Sequence, residues 1–299
     1  MLDVAIIGGG TAGLSAALVL GRMRRRVLIV DSGQPRNAVS PAAHGFFSRD
    51  GIAPSELLQI GREQLAPYDT VELRNGSVVD VERNDDGFEL TLSDGTKYHA
   101  RKLMFATGVQ DQLPQVDGLE VFWGTSVFHC PYCHGWEARD KPIAILADGD
   151  AAIHLATLLY SLSTDLVVCT NGASTLSEEQ RALLQAFNIP VYEEMVTGVE
   201  GRDGIIEHIH FANGDVLERG IIFVRTELQQ HSDLPQKLGC EINDYGFIQV
   251  DNTCQTTVHG VYAIGDMAGQ PHQVIQAAAN GAFAAARLNH LLATEQFRA

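Results

Sequence analysis

Two cysteines two residues apart, Cys130 and Cys133, stand in the run His129-Cys130-Pro131-Tyr132-Cys133-His134-Gly135-Trp136-Glu137. Thiols at this spacing close into a disulfide and reopen, which makes them a store for two electrons. The same letters admit two other chemistries. Cys-x-x-Cys-His is the spacing of a c-type haem attachment, and His129, Cys130, Cys133 and His134 are all zinc-ligating types. Haem attachment requires export, whereas Met1-Leu2-Asp3-Val4-Ala5-Ile6-Ile7-Gly8 reads as a strand and not as a charged, then apolar, leader. Structural zinc takes ligand pairs from separate places, and here adjacent residues would have to converge from one turn. A redox pair is therefore expected, with no metal site.

The elements that hold such a pair announce themselves at the amino end. A short apolar run, Asp3 to Ile7, leads into Gly8-Gly9-Gly10-Thr11-Ala12-Gly13 and then into Leu14 to Leu20, of helical composition. This is G-x-G-x-x-G in its strand-to-helix setting. Gly8 permits the tight turn, Gly10 the approach of a pyrophosphate and Gly13 close packing of the helix, and the first amides of the helix, at Thr11 and Ala12, face the phosphates. The next strand, Arg26 to Asp31, ends in an acid placed to hold a ribose hydroxyl pair. Dinucleotide binding follows.

Composition narrows the partners. The 299 residues suffice for two domains, and 21 Lys+Arg against 37 Asp+Glu give a net charge of −16, which repels phosphate backbones. Nucleic acid is not an expected partner. No apolar run reaches the roughly 18 residues of a membrane helix, so a cytoplasmic protein is expected. The basic run Arg22, Arg24, Arg25 and Arg26 falls where a helix should end, and cations favour that negative end. Of five cysteines, Cys169, Cys240 and Cys254 lack a motif and read as buried small hydrophobes.

Thr257-Val258-His259-Gly260-Val261-Tyr262-Ala263-Ile264-Gly265-Asp266 is a strand ending in Gly-Asp, followed by an Ala-rich helix from about Gln273 to Leu292. Leu103-Met104-Phe105-Ala106-Thr107-Gly108 forms a third landmark. With these three in order, the chain resembles the two-dinucleotide-domain flavoproteins, and in particular the low-molecular-weight thioredoxin reductases. The resemblance implies an α/β fold of two Rossmann-like, three-layer ββα domains, the second inserted into the first. It implies FAD at the first site, with Gly265 and Asp266 on its ribityl chain, Ala106, Thr107 and Gly108 at the exit from the FAD domain, and His272, Gln273 and Val274 at a helix end facing the flavin. It also implies a homodimer. Proline and glycine near 113–118 and 243–246 mark the joints, so the FAD domain is expected over 1–113 and 245–299, and the insert, with the cysteines, over 114–244.

The insert's own nucleotide turn departs from that family's pattern. After Pro142-Ile143-Ala144-Ile145-Leu146 comes Ala147-Asp148-Gly149-Asp150-Ala151-Ala152, with two acids where a pyrophosphate would lie, and the next strand ends in Cys169-Thr170-Asn171-Gly172-Ala173, without the arginines that hold a 2′-phosphate in NADPH-dependent relatives. Loss of NADPH is expected. Cys-Pro-Tyr-Cys-His-Gly-Trp-Glu, with Pro35-Arg36-Asn37, Ala43-His44-Gly45-Phe46 and Arg49-Asp50-Gly51, resembles the dithiol oxidases of gliotoxin and holomycin biosynthesis. That resemblance puts Cys133 against the flavin, Cys130 in exchange with substrate thiols, His134 at the proton transfers and Asn37 among the FAD contacts. The expected activity is oxidation of a small-molecule or peptide dithiol with dioxygen as acceptor. The alternative is reduction of a thioredoxin-like protein with a donor such as ferredoxin or, failing that, NAD(P)H. Ferredoxin docking is disfavoured by the acidic charge outside Arg22 to Arg26.

Overall fold

The computed structural model describes residues 1–298. The chain forms two compact units, 1–38 with 45–110 and 228–299, and 39–44 with 111–227. In the first unit a sheet runs Val71–Asn75, Val27–Asp31, Leu2–Ile7, Lys97–Phe105, Gly87–Leu92, Val78–Asn84. The first four strands are mutually parallel and the last two antiparallel. The long strand Lys97–Phe105 serves two partners on one edge. Its start pairs antiparallel with Gly87–Leu92, and its end, from Leu103, pairs parallel with Val261–Ala263. The short antiparallel sheet thereby peels away and makes a third layer.

Strand side chains alternate between faces, and the core follows. Val4, Ile6, Met104 and Tyr262 point to a cluster built with Leu14, Ala17, Leu20, Ala284 and Leu288 of the helices Thr11–Arg22 and Val274–Arg298. Ala5, Ile7, Leu103, Phe105 and Ala263 point the other way, against Val81, Phe88 and Leu90. Both faces are covered, which is why these strands read as continuous apolar runs. The last helix extends beyond the expected Leu292 to Arg298, its final turns held by Arg25 to Asn289 and Gln296 and by Arg101 and Lys102 to Glu295. Arg25 thus bonds another helix rather than the end of its own.

The second unit repeats the plan. Its parallel sheet runs Val191–Tyr192, Leu166–Cys169, Ile143–Leu146, Ile221–Val224, Val127–Phe128, and an antiparallel sheet of Val196–Arg202, Ile205–Phe211 and Val216–Glu218 forms its third layer. The division differs from the expected one. Leu234 and Cys240, placed in the insert by the sequence reading, are buried against Ala5, Ile7 and Phe105 in the first unit, so the return joint lies at 227/228 and not at 244/245. A second difference is the excursion of Val39–His44 into the second unit.

The two long helices of the first unit meet at Gly281, where a Cβ would overlap the Ala12 carbonyl oxygen. Gly281→Val is expected to cost about 1–3 kcal/mol as an overpacked contact, read as a lowered denaturant midpoint with unchanged slope.

Candidate functional site

Cys130 and Cys133 form a disulfide, 5.3 Å apart between Cα atoms. Cys130 is extended and opens the one-turn helix Pro131–His134, where proline takes the first position, whose amide needs no partner. The amides of Cys133 and His134 both bond the Cys130 carbonyl oxygen, at 3.1 and 3.2 Å. Gly135 closes the turn because a Cβ there would overlap the Pro131 carbonyl oxygen and meet Leu162 Cδ1 at 2.5 Å. The sulfurs are therefore carried on a turn packed directly on the unit's core.

His134 follows the second cysteine and stacks on Phe128, 4.3 Å between ring centroids and 11° from parallel, while Phe128 is itself core. Its Nε2 lies 3.0 Å from Ser40 Oγ. Burial holds its pKa below the ordinary 6.5, against the pull of Glu137 and with some help from His44. At neutral pH it is an uncharged imidazole able to accept a proton. His44 Nε2 stands 3.5 Å from Glu137 Oε1. His129 packs its ring on Trp123, 5.5 Å between centroids. Tyr132 and Trp136 are largely exposed. The other thiols are unsuited to exchange: Cys169, Cys240 and Cys254 are buried, and burial pushes Cys169 up to about 12. No cluster of metal-ligating side chains occurs among the described residues.

In the first unit Gly8, Asp31, Ala106 and Gly265 stand at the carboxyl ends of four parallel strands, the usual place for a nucleotide in such sheets. Gly8 and Gly13 are required by packing, since a Cβ on Gly8 would overlap the Ala106 carbonyl oxygen and one on Gly13 the Gly8 carbonyl oxygen. Gly10 differs. Its backbone is extended (φ −70°, ψ −174°), a conformation any residue adopts, and a Cβ would meet nothing within 4 Å. No side chain caps the helix that begins at Thr11, so its first amides remain for an anion. Asp31 Oδ1 accepts from the Gly9 amide at 3.1 Å and Oδ2 pairs with Arg62 at 3.0 Å, and carboxylate oxygens keep further lone pairs for hydroxyls. The Gly265 amide donates to Asn280 at 2.8 Å, and Asp266 Oδ2 pairs with Arg36 at 3.0 Å. Thr107 Oγ1 bonds Met267 sulfur at 3.5 Å, Gly108 takes φ +69°, and Asn37 is half-buried. A Cβ on Gly265 would come within 3.0 Å of Ala12 Cβ. Gln273 accepts the Ala277 amide ahead of Val274, and His272 meets Phe247 edge-on at 5.4 Å. Sequence reading noted Arg36 only inside a motif; its pairing with Asp266 spans 230 residues and leaves no local signal.

The equivalent turn of the second unit carries a carboxylate, Asp148, bonded to a neighbouring loop. Asp148 precedes the helix Gly149–Leu159 without capping it. Its carboxylate accepts from Ser174 Oγ at 3.0 Å, the Thr175 amide at 2.8 Å and Thr175 Oγ1 at 2.6 Å. Burial opposes ionisation, but these bonds and the Gly149 amide prevail and hold the carboxyl below its usual value, so it is charged at neutral pH. Asp150 Oδ1 accepts from Gln180 at 2.7 Å. Asn171 accepts from the Val196 amide, and Arg181 pairs with Glu193.

The family described as pyridine nucleotide-disulphide oxidoreductase matches residues 2–281, and the chain belongs to it. Within that family it is a thioredoxin-reductase-like, FAD-dependent disulfide oxidoreductase. It is 32% identical to the thioredoxin reductase tcpT of Claviceps purpurea, over 89% of this chain and 86% of that one. The crystal structure of HlmI superposes with a TM-score of 0.93 at 39% identity, covering 99% of this chain and 94% of that one. That of an oxidoreductase from Agrobacterium tumefaciens gives 0.91 at 36%, covering 98% and 99%. FAD fits the first unit: Gly10, sterically free as protein, is where a pyrophosphate needs backbone approach, and the uncapped helix supplies amides to it. Gly10→Val should therefore leave the apoprotein's denaturation midpoint within about 0.5 kcal/mol of wild type while the purified protein loses its flavin absorbance. A variant that keeps FAD would contradict the assignment of Gly10.

Proposed function

We propose that the protein oxidises dithiols to disulfides, with dioxygen as electron acceptor and without NAD(P)H. The observation that carries this reading is Asp148. A charged carboxylate, bound by Ser174 and Thr175, takes up hydrogen bonds at the second nucleotide turn and adds repulsion against a pyrophosphate there. Electrons then have one residue-level entry, the Cys130–Cys133 disulfide.

Cys130, at the start of the turn, is assigned to attack by substrate thiolate, and Cys133 to the flavin side. One substrate thiol gives its proton to His134, and its sulfur bonds to Cys130 as the Cys130–Cys133 bond breaks, leaving the electron pair on Cys133. The second substrate thiol then attacks the mixed disulfide, its proton passing to the departing Cys130 sulfur, which releases the substrate disulfide and a reduced Cys130. Bound FAD would supply the two-electron chemistry between the cysteines and dioxygen; the Cys130–Cys133 bond would re-form, and the two protons given up by the dithiol would leave with the electrons as hydrogen peroxide. Gly8, Gly10, Thr11, Ala12, Gly13, Asp31, Asn37, Ala106, Thr107, Gly108, Gly265, Asp266, His272, Gln273 and Val274 are assigned to holding it, with Arg36 fixing Asp266.

A second reading is a protein substrate of the thioredoxin type, favoured by the names of relatives such as tcpT. The test runs dithiothreitol under air with peroxide detection beside thioredoxin reduction driven by NADPH or by reduced ferredoxin. Peroxide formed with dithiothreitol alone is the expected result, and ferredoxin- or NADPH-driven thioredoxin reduction without peroxide would overturn it. Replacing His134 by Gln should lower turnover by about 10²-fold, the low end for general acid–base catalysis. Because the imidazole must be unprotonated and burial lowers its pKa, the rate should hold on acidification through 6.5 and fall only below it; a fall centred above 6.5 would contradict this.

A further inference from the structure

The residues 39–44 leave the first unit and pack in the second. Val39 lies against Gly124, where a Cβ would come within 2.8 Å of Val39 Cγ2, and Ala43 is buried. Farther along, His44 Nε2 lies 3.5 Å from Glu137 Oε1. This strap is thus fastened on either side of Ser40. The Ser40 hydroxyl lies 2.7 Å from the Ala42 carbonyl oxygen and 3.0 Å from His134 Nε2.

A serine hydroxyl has one proton and two acceptor lone pairs. A carbonyl oxygen can only accept, so the proton of Ser40 is committed to Ala42. Toward His134 the same oxygen can only accept, and the proton between them must belong to Nε2. We propose that Ser40 is a positioning residue that fixes His134 as its Nε2–H tautomer and leaves Nδ1 as the nitrogen that takes the substrate's thiol proton. The stack on Phe128 sets the plane of the ring, and Ser40 sets which edge carries hydrogen. The same oxygen remains a good acceptor after Nδ1 is protonated, so it supports both states of the transfer. Glu137 and His44 are the titratable groups that act on this ring.

The inference rests on the assignment of His134 to proton transfer, and the experiment separates the two. FAD-loaded protein labelled with 15N-histidine is compared as wild type, Ser40→Ala and Ser40→Thr, with His134→Gln to assign the resonances. Wild type is expected to carry its proton on Nε2 with Nδ1 bare. Ser40→Ala should populate the Nδ1–H form, lower kcat by about tenfold as outer-shell partners of histidine do, and move the acid limb of the rate profile to lower pH, since the imidazolium loses an acceptor. Ser40→Thr, which keeps the hydroxyl, should restore all three. A wild-type His134 protonated on Nδ1 overturns the proposal, as does a Ser40→Ala protein with unchanged tautomer and pH profile. Full turnover in His134→Gln would remove the proton-transfer role while the wild-type tautomer still decides whether Ser40 sets the ring.

Discussion

A parallel strand running into a helix leaves unpaired amides at the turn, and something negative must meet them. This chain builds that turn twice, with no side-chain cap on either helix, and surrounds it differently. At Gly10 nothing of the protein approaches and no side chain caps the helix. At Asp148 the protein's own carboxylate stands at the turn, bonded to the amide and hydroxyls of Ser174 and Thr175. The half-buried Asp148 carboxylate adds negative charge at the second turn, which opposes a pyrophosphate there, although its strands and helices are intact. The electron traffic of the molecule depends on that difference.

In the proposed reaction the cysteine pair is the port through which electrons pass, and its surroundings suit thiol exchange. The sulfurs ride a single turn whose Gly135 has no room for a Cβ beside Leu162. A histidine follows directly, kept neutral by burial and stacked on a core phenylalanine. The remaining thiols sit in apolar surroundings that hold them protonated, Cys169 most of all. Reactivity is confined to one pair by burial of the rest.

Much of this was legible in sequence wherever the physical demand is local. The strand, Gly13 and the helix are dictated by sterics within a dozen residues, and Cys130 and Cys133 by their spacing, whereas Gly8 is also confined by the distant Ala106 carbonyl oxygen. The joint was misread for an equally physical reason. Turn residues at Asn243 to Gly246 do form a turn, the Gly246 amide bonding the Asn243 carbonyl oxygen, but it lies inside the first unit, whereas the joint itself, Arg225-Thr226-Glu227-Leu228, carries no proline or glycine. The partners of the chemistry were hidden by distance along the chain. Ser40 reaches His134 across 94 residues, and Ser174 reaches Asp148 across 26. A polar residue in a loop gives no sign of which distant ring it will orient.

In the proposed reaction electrons enter from a dithiol through Cys130 and leave to dioxygen. Anaerobic rapid mixing of the FAD-loaded protein with dithiothreitol, followed by admission of air, observes both halves in one trace. The account predicts bleaching of the flavin band by the dithiol, its return with air, and no bleaching in Cys130→Ser. Bleaching by the dithiol that persists in Cys130→Ser, or a band that the dithiol leaves untouched in wild type, would contradict it.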